Sequence, residues 1–119
     1  MIGYIYQIIN KVDGKRYVGQ TIDLQKRKNT HFNELKRNAH PNPLLQEAWN
    51  TWGEENFSFV YEEYEILDED TLNQKEIETI AKYDSFNNGY NRTAGGQGGP
   101  IRRKLTFEQF CFIYYGCKW

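Results

Sequence analysis

The first twenty residues alternate between apolar and polar positions with the period of a β-strand. The segment YIYQII at residues 4–9 places alternate side chains on opposite faces. Asp13-Gly14 is a strong two-residue turn signal, and residues 16–20 return as a second strand. The pattern therefore predicts a β-hairpin at the N-terminus.

Two helices are predicted next from apolar side chains spaced three and four residues apart. The first covers residues 24–38 with Asp23 as its N-cap, and its face is formed by Leu24, the stem of Lys28, His31 and Leu35. The second runs from Pro43 to Gly53, and its apolar stripe contains Leu45, Ala48, Trp49 and Trp52.

A third strand and a third helix complete the first unit. Residues 56–66 alternate with Phe57, Phe59 and Tyr61 on one face. The helix spans about residues 69–82, with a stripe of Leu72, Glu76, Ile80 and Tyr83. The order β-β-α-α-β-α predicts an α/β fold in which helices flank a small three-stranded antiparallel sheet.

The chain divides after this unit. Residues 1–94 are predicted to form one domain, and residues 95–100 a glycine-rich linker. Residues 101–119 contain a capping-box pattern and an apolar helical face, which predicts the start of a further, truncated helical segment.

Charge is distributed unevenly over the 119 residues, although the net charge is only −1. Lysine and arginine outnumber aspartate and glutamate 8 to 4 in residues 1–53, whereas acidic residues dominate 11 to 2 in residues 54–91. A basic front can meet phosphates, and an acidic middle is either a metal site or a solvated face. Both cysteines fall after residue 110, and no signal peptide or membrane span is visible, so we expect a reducing, intracellular (cytoplasmic) protein.

Two tyrosines of the hairpin share one face. A two-residue turn at Asp13-Gly14 would pair positions whose numbers sum to 27, so Tyr6 and Tyr17 fall on the same side but about four residues apart. That separation is roughly 13 Å along the ladder, and a bulge or a wider loop would shorten it. Packing of amphipathic rings is the alternative to a catalytic role.

Three further side chains are candidates for chemistry. Arg27 and His31 are one helical turn apart and present a forked cation and a titratable imidazole to one region; a solvated basic face is the alternative. Glu76 lies in an apolar stripe, where a carboxylate must be paired, protonated or bound to a cation. Magnesium suits such an oxygen ligand, and a salt bridge to Arg27 is the alternative.

Taken together, the motifs resemble the GIY-YIG nuclease family. The matching segments are YIYQI at residues 4–8, YVG at 17–19, KEIETIAKY at 75–83 and NGYN at 88–91, with Arg27, His31 and His40 between them. Tyr4 stands where the family motif has its first glycine, and Val18 stands where it has isoleucine. The resemblance covers about residues 2–97. Because the family appends DNA-recognition modules to its nuclease domain, the resemblance also implies that residues 101–119 are the start of a truncated DNA-binding segment.

The resemblance implies a metal-dependent endonuclease of the homing type that hydrolyses phosphodiester bonds in double-stranded DNA. It implies Mg²⁺ (or Mn²⁺) as cofactor, with Glu76 as the metal ligand. No protein partner is implied by the resemblance. A repair or structure-selective nuclease, or a noncatalytic DNA-binding module on the same fold, are the alternatives.

The resemblance also assigns roles to individual residues. Tyr6 or Tyr17 would help to deprotonate or orient the attacking water, and Arg27 would stabilise charge on the phosphoryl group. His31 would assist proton transfer, and Asn91 would anchor the hydrogen-bond network. Substrate contacts are expected from His40, Lys26 and Lys28.

Overall fold

Three strands and three helices follow one another in the predicted order. The computed structural model describes residues 1–68 and 70–95. The elements are β1 (Ile2–Asn10), β2 (Arg16–Thr21), α1 (Leu24–Lys36), α2 (Pro43–Trp52), a 3₁₀ turn (Glu54–Asn56), β3 (Phe57–Glu65) and α3 (Thr71–Tyr83). The predicted fold class is confirmed. Most of the predicted linker and the whole predicted segment 101–119 lie outside the described residues, so the domain division stays a prediction.

The hairpin loop is wider than the predicted two-residue turn. The Asn10 backbone N–H donates to the Lys15 carbonyl at 2.8 Å, and the Gly14 N–H donates to the Asn10 carbonyl at 2.8 Å. Residues 11–14 therefore form the loop, and Gly14 takes φ 78°. Two side chains stabilise it: the Asn10 Oδ1 accepts from the Val12 N–H, and the Asp13 Oδ1 accepts from the Lys15 N–H, each at 2.9 Å.

The wider loop changes the strand register by two residues. Tyr6 lies opposite Gly19, and Ile8 lies opposite Tyr17. The predicted shared face of the two tyrosines is correct, whereas the predicted separation of four residues is wrong. The ring centroids of Tyr6 and Tyr17 are 6.4 Å apart. Both phenols can therefore serve one compact site.

The antiparallel sheet has the order β2-β1-β3 and is covered on both faces. Helices α1 and α2 cover one face, in a cluster of Tyr6, Ile8, Tyr17, Leu35, Leu45, Ala48, Trp49, Phe57 and Tyr90. Helix α3 packs against β2 and β1 on the other, in a cluster of Ile5, Val18, Ile66, Leu72 and Ile80. Strand β2 is an edge of this sheet, so side chains from both faces can meet beside it.

Three aromatic residues of the predicted apolar faces are exposed. Trp52, Tyr61 and Tyr83 each expose more than a third of their surface. Trp52 and Tyr83 occupy the last positions of their helices, where the helix ends leave the sheet. The Tyr83 ring instead lies 4.1 Å from the guanidinium carbon of Arg16.

Within the described residues, no helix has the length and apolar character needed to cross a membrane.

Candidate active site

A cleft of about 440 Å³ opens at the β2 edge of the sheet. Its described lining consists of Tyr17, His40, Pro41, Asn42, Glu76, Asn91, Arg92 and Thr93. Tyr17 comes from the α1/α2 face of the sheet, and Glu76 comes from α3 on the opposite face. The edge strand thus lets a phenol and a carboxylate from opposite faces share one cleft.

Asn91 fixes one wall of the cleft to the backbone of β2. Its Oδ1 accepts from the Val18 N–H at 2.8 Å, and its Nδ2 donates to the Val18 carbonyl at 2.9 Å. The Tyr90 N–H also donates to the Arg16 carbonyl, at 3.0 Å. Residues 90–91 therefore pair with the outer edge of β2, although they do not form a strand of their own. The predicted anchoring position of Asn91 agrees with this geometry, while its catalytic role stays a prediction.

Glu76 is almost fully buried, with 3% of its surface exposed. It lies between Leu72 and Ile80 on the α3 stripe, as the spacing predicted. Its Oε1 accepts a hydrogen bond from Gln20 Nε2 at 2.7 Å, and the same nitrogen donates to Asn73 Oδ1 at 2.9 Å. The side-chain amide of Gln20 thus orients the Glu76 carboxylate in the cleft.

A chain of hydrogen bonds connects Tyr6 to two histidines. The Tyr6 hydroxyl lies 2.6 Å from His31 Nε2, and His31 Nδ1 lies 2.7 Å from His40 Nε2. His40 is in turn fixed by backbone contacts: Asn42 N–H donates to His40 Nδ1 at 3.0 Å, and His40 N–H donates to Gln46 Oε1 at 3.0 Å. All three rings of the chain are buried.

The donor and acceptor in each of these hydrogen bonds follow from the contact of His40 with the backbone of Asn42. Burial lowers the pKa of His40 to about 4, and burial together with the charges of His40 and Arg27 holds the pKa of His31 well below its usual value. Both imidazoles are therefore neutral at pH 7 and carry one proton each. Because His40 Nδ1 accepts from Asn42, the proton of His40 is on Nε2 and is donated to His31 Nδ1. His31 then donates from Nε2 to the Tyr6 oxygen.

Gly19 makes room for the Tyr6 ring. A Cβ atom at position 19 would lie 2.4 Å from both Cζ and the hydroxyl oxygen of Tyr6. The phenol crosses the strand directly over the glycine that faces it in the register. Tyr6 is also stacked on Phe59, with ring centroids 5.5 Å apart. The glycine of the YVG segment is thus required by the position of the first tyrosine.

The structure separates the predicted basic residues. Arg27 is half-buried, and its charge lowers the pKa of both His31 and His40, which places it beside the histidine chain. Lys26 is exposed, and Lys28 places its ammonium 5.3 Å from the Phe59 ring centroid. Neither lysine belongs to the described lining of the cleft. Their predicted substrate contacts would have to be made outside it.

Several polar residues of the site are absent from the sequence prediction. Gln20 orients Glu76, and Gln46 holds the backbone of His40. Asn42 caps α2, lines the cleft and donates from Nδ2 to the Tyr90 carbonyl at 2.7 Å. Of these three residues, only Asn42 could have been predicted from the sequence to have a structural role, because an asparagine directly before Pro43 is a typical N-cap.

A comparison with known proteins identifies the family. The model of the GIY-YIG catalytic domain matches residues 2–91. This chain belongs to the GIY-YIG family. The match includes every residue of the hydrogen-bond chain as well as Glu76 and Asn91. The resemblance inferred from the sequence motifs is confirmed.

GIY-YIG relatives match this chain over its first unit. Intron-associated endonuclease 1 of Enterobacteria phage T4 is 34% identical over 87 residues, which are 73% of this chain and 35% of the relative. Probable intron-encoded endonuclease 1 of Neurospora crassa is 32% identical over 94 residues, 75% of this chain and 29% of the relative. The chain thus spans about a third of the length of the curated relatives it matches.

Two solved GIY-YIG structures share the fold. A mutant of the catalytic domain of intron endonuclease I-TevI superposes with a TM-score of 0.71 at 32% identity, covering 80% of this chain and 97% of that one. The catalytic domain of homing endonuclease I-TevI gives 0.69 at 32% identity, covering 75% and 96%. The described residues therefore correspond to a nearly complete catalytic domain of this type.

Proposed function

We propose that this chain is a DNA endonuclease of the homing type that hydrolyses phosphodiester bonds. The observation that carries the proposal is the meeting of Tyr17 and the buried Glu76 in one cleft at the β2 edge. The names of the relatives support the nuclease activity and the homing role, because they are an intron-associated endonuclease, an intron-encoded endonuclease and a homing endonuclease. Double-stranded DNA is the proposed substrate.

We propose Mg²⁺, or Mn²⁺ in its place, as the cofactor, held by Glu76. The donor chemistry fits, because a buried carboxylate oriented by Gln20 offers hard oxygen ligands. No group of three or more histidine, cysteine or acidic side chains suited to a metal occurs among residues 1–68 and 70–95. A single protein carboxylate matches the habit of magnesium, which fills its other positions with water and substrate phosphate. When bound, the ion would supply charge stabilisation at the phosphoryl group.

In this proposal Tyr17 contacts the attacking water, and Tyr6 with the two histidines supports it from the adjacent core, because Tyr6 is fully buried and lies outside the described lining of the cleft. The His31 Nε2–H points at the Tyr6 oxygen, and a donor in that position stabilises negative charge there. His40 acts through His31, because it fixes the ring proton of His31 on Nε2. Tyr17 borders the cleft directly and orients the water or the phosphate. The two neutral imidazoles thus favour the phenolate form of Tyr6, which is the form that can accept a proton.

Arg27 and Asn91 have supporting roles. The guanidinium of Arg27 would stabilise the charge that develops on the phosphoryl oxygens, because its forked donors match two oxygens at once. Asn91 holds the wall of the cleft against β2 through Val18. Lys26 and Lys28 would contact DNA phosphates beyond the cleft. Contacts of this kind add affinity but no sequence preference, so this unit alone should show little target specificity.

Plasmid nicking with Mg²⁺ tests the proposal. The parent chain is compared with Glu76→Ala and Glu76→Gln, and with Glu78→Ala as the matched control on an exposed face of the same helix. We expect both Glu76 variants to lose cleavage by at least about a hundredfold, the scale of losing a main charge-stabilising group. Glu78→Ala and the parent should cut equally, and chelation by EDTA should stop both.

The result that would reject the metal assignment is a Glu76 variant that folds and cuts as fast as the parent. A parent chain that binds DNA without cutting it would instead favour the noncatalytic DNA-binding alternative. Circular dichroism and thermal unfolding of each variant separate a lost site from a lost fold.

A further inference from the structure

Arg92 occupies a fixed position at the mouth of the cleft. The residue before it, Asn91, makes two hydrogen bonds to Val18 on β2. Three residues later, the backbone of Gly95 packs so closely on α3 that an added Cβ would lie 2.9 Å from Ile80 Cδ1. The segment that carries Arg92 is thus held at one end by the sheet edge and at the other by the helix that carries the metal ligand.

The charge around the cleft is unbalanced for a polyanionic substrate. Glu76 contributes a carboxylate, and His40 is neutral at pH 7 because burial lowers its pKa to about 4. Among the described lining residues, the positive charge comes from Arg92 alone. Arg27 lies beside the histidines on the α1 side and outside that lining. A DNA strand that approaches Glu76 through this cleft would therefore meet the guanidinium of Arg92.

We propose that Arg92 binds a phosphate of the DNA strand next to the scissile phosphate. This inference rests on the proposed nuclease function. Arg92 is exposed, so its guanidinium can reach a backbone phosphate and bind two oxygens at once. In the proposed mechanism, Glu76 holds the metal ion at the scissile phosphate and Arg27 stabilises the charge that develops there. Arg92 is consequently a substrate-positioning residue that contributes to binding more than to the chemical step.

The test separates binding from chemistry. Single-turnover plasmid nicking is measured with the full chain over a range of protein concentrations, for the parent, Arg92→Ala, Arg92→Lys and Arg37→Ala. Arg37 is an exposed arginine beyond α1 and outside the cleft lining, so it serves as the charge-matched control. We expect Arg92→Ala to raise the half-saturating protein concentration about tenfold, the effect of losing one charge-assisted hydrogen bond. The maximal rate should stay within about twofold of the parent.

Salt dependence provides the second readout. Loss of one phosphate contact should reduce the slope of log affinity against log salt by about 0.9 for Arg92→Ala. Arg92→Lys should keep the slope but not the full affinity, and Arg37→Ala should match the parent in both. An active parent whose half-saturation and salt slope are unchanged by Arg92→Ala overturns this inference alone. A parent that does not nick DNA at all overturns the proposed function and this inference with it.

Discussion

Replacing Gly19 with alanine tests whether the position of Tyr6 controls the chemistry. The new Cβ would lie 2.4 Å from two atoms of the Tyr6 ring, whereas ordinary contact begins at 3.4 Å. The ring must therefore move by about 1 Å. It has little room to do so, because Tyr6 is fully buried, stacked on Phe59 and hydrogen-bonded to His31 at 2.6 Å.

Two magnitudes follow from this collision. Overpacking of a buried site costs about 1–3 kcal/mol of unfolding free energy. A domain of this size loses roughly 4–8 °C of melting temperature for each kcal/mol. A displacement of about 1 Å in a catalytic group costs about a hundredfold in rate. We expect Gly19→Ala to remain folded at 20 °C and to nick plasmid about a hundredfold more slowly than the parent.

Nicking rates and thermal unfolding curves of the same preparations decide the outcome. Gly14→Asn is the control, because a Cβ at position 14 meets nothing within 4 Å and asparagine tolerates its positive φ of 78°. That variant should retain the parent rate. If Gly19→Ala has the parent rate and the parent melting temperature, the close approach of Tyr6 to residue 19 does not constrain the site, and the reasoning fails.

Three more perturbations address other parts of the site. Arg27→Lys should lose much of the nicking rate at saturating DNA, since an ammonium cannot reproduce the fork; unchanged turnover would remove Arg27 from the transition state. The free energy of unfolding, measured in urea, should be constant above pH 6.5 and should fall toward pH 4. The pKa values of His31 and His40 are lowered in the folded protein, so the unfolded chain binds protons at a higher pH than the folded chain does. Each histidine contributes a slope of up to about 1.4 kcal/mol per pH unit. His31→Asn should flatten that dependence, and a curve as steep as the parent's would contradict it. Asn91→Asp removes the donor to the Val18 carbonyl, so its unfolding free energy should fall by about 1–3 kcal/mol in urea titrations, and no change would show that this contact is not stabilising.

Sequence periodicity predicted the elements and the burial of Glu76 because both depend on local spacing. The carboxylate shares a helical stripe with Leu72 and Ile80, and that stripe has one face on which to pack. Likewise, strand parity placed Tyr6 and Tyr17 on one face without knowledge of the loop. A register change of two residues leaves every side chain on the same face of the sheet. The shared face of the two tyrosines was therefore predicted correctly, although the two-residue turn was wrong.

The register itself could not be predicted from the Asp13-Gly14 signal. Loop width was decided by side-chain hydrogen bonds of Asn10 and Asp13, which stabilise a four-residue loop over the two-residue turn. The contact of His31 with His40 depends on how the chain between α1 and α2 returns, a tertiary feature with no periodic signal. Gln20 was missed for a similar reason, since strand alternation shows its face but not the carboxylate it meets there.

The pairing of residues 90–91 with β2 also bears on the solution behaviour of the protein. An uncovered edge strand presents backbone donors and acceptors on which another copy can add a strand, and natural proteins block such edges to avoid aggregation. Here the side-chain amide of Asn91 occupies both backbone groups of Val18 at the middle of that edge. Substitutions at position 91 would therefore promote self-association together with any loss of cleavage, so an insoluble variant does not by itself identify a catalytic residue.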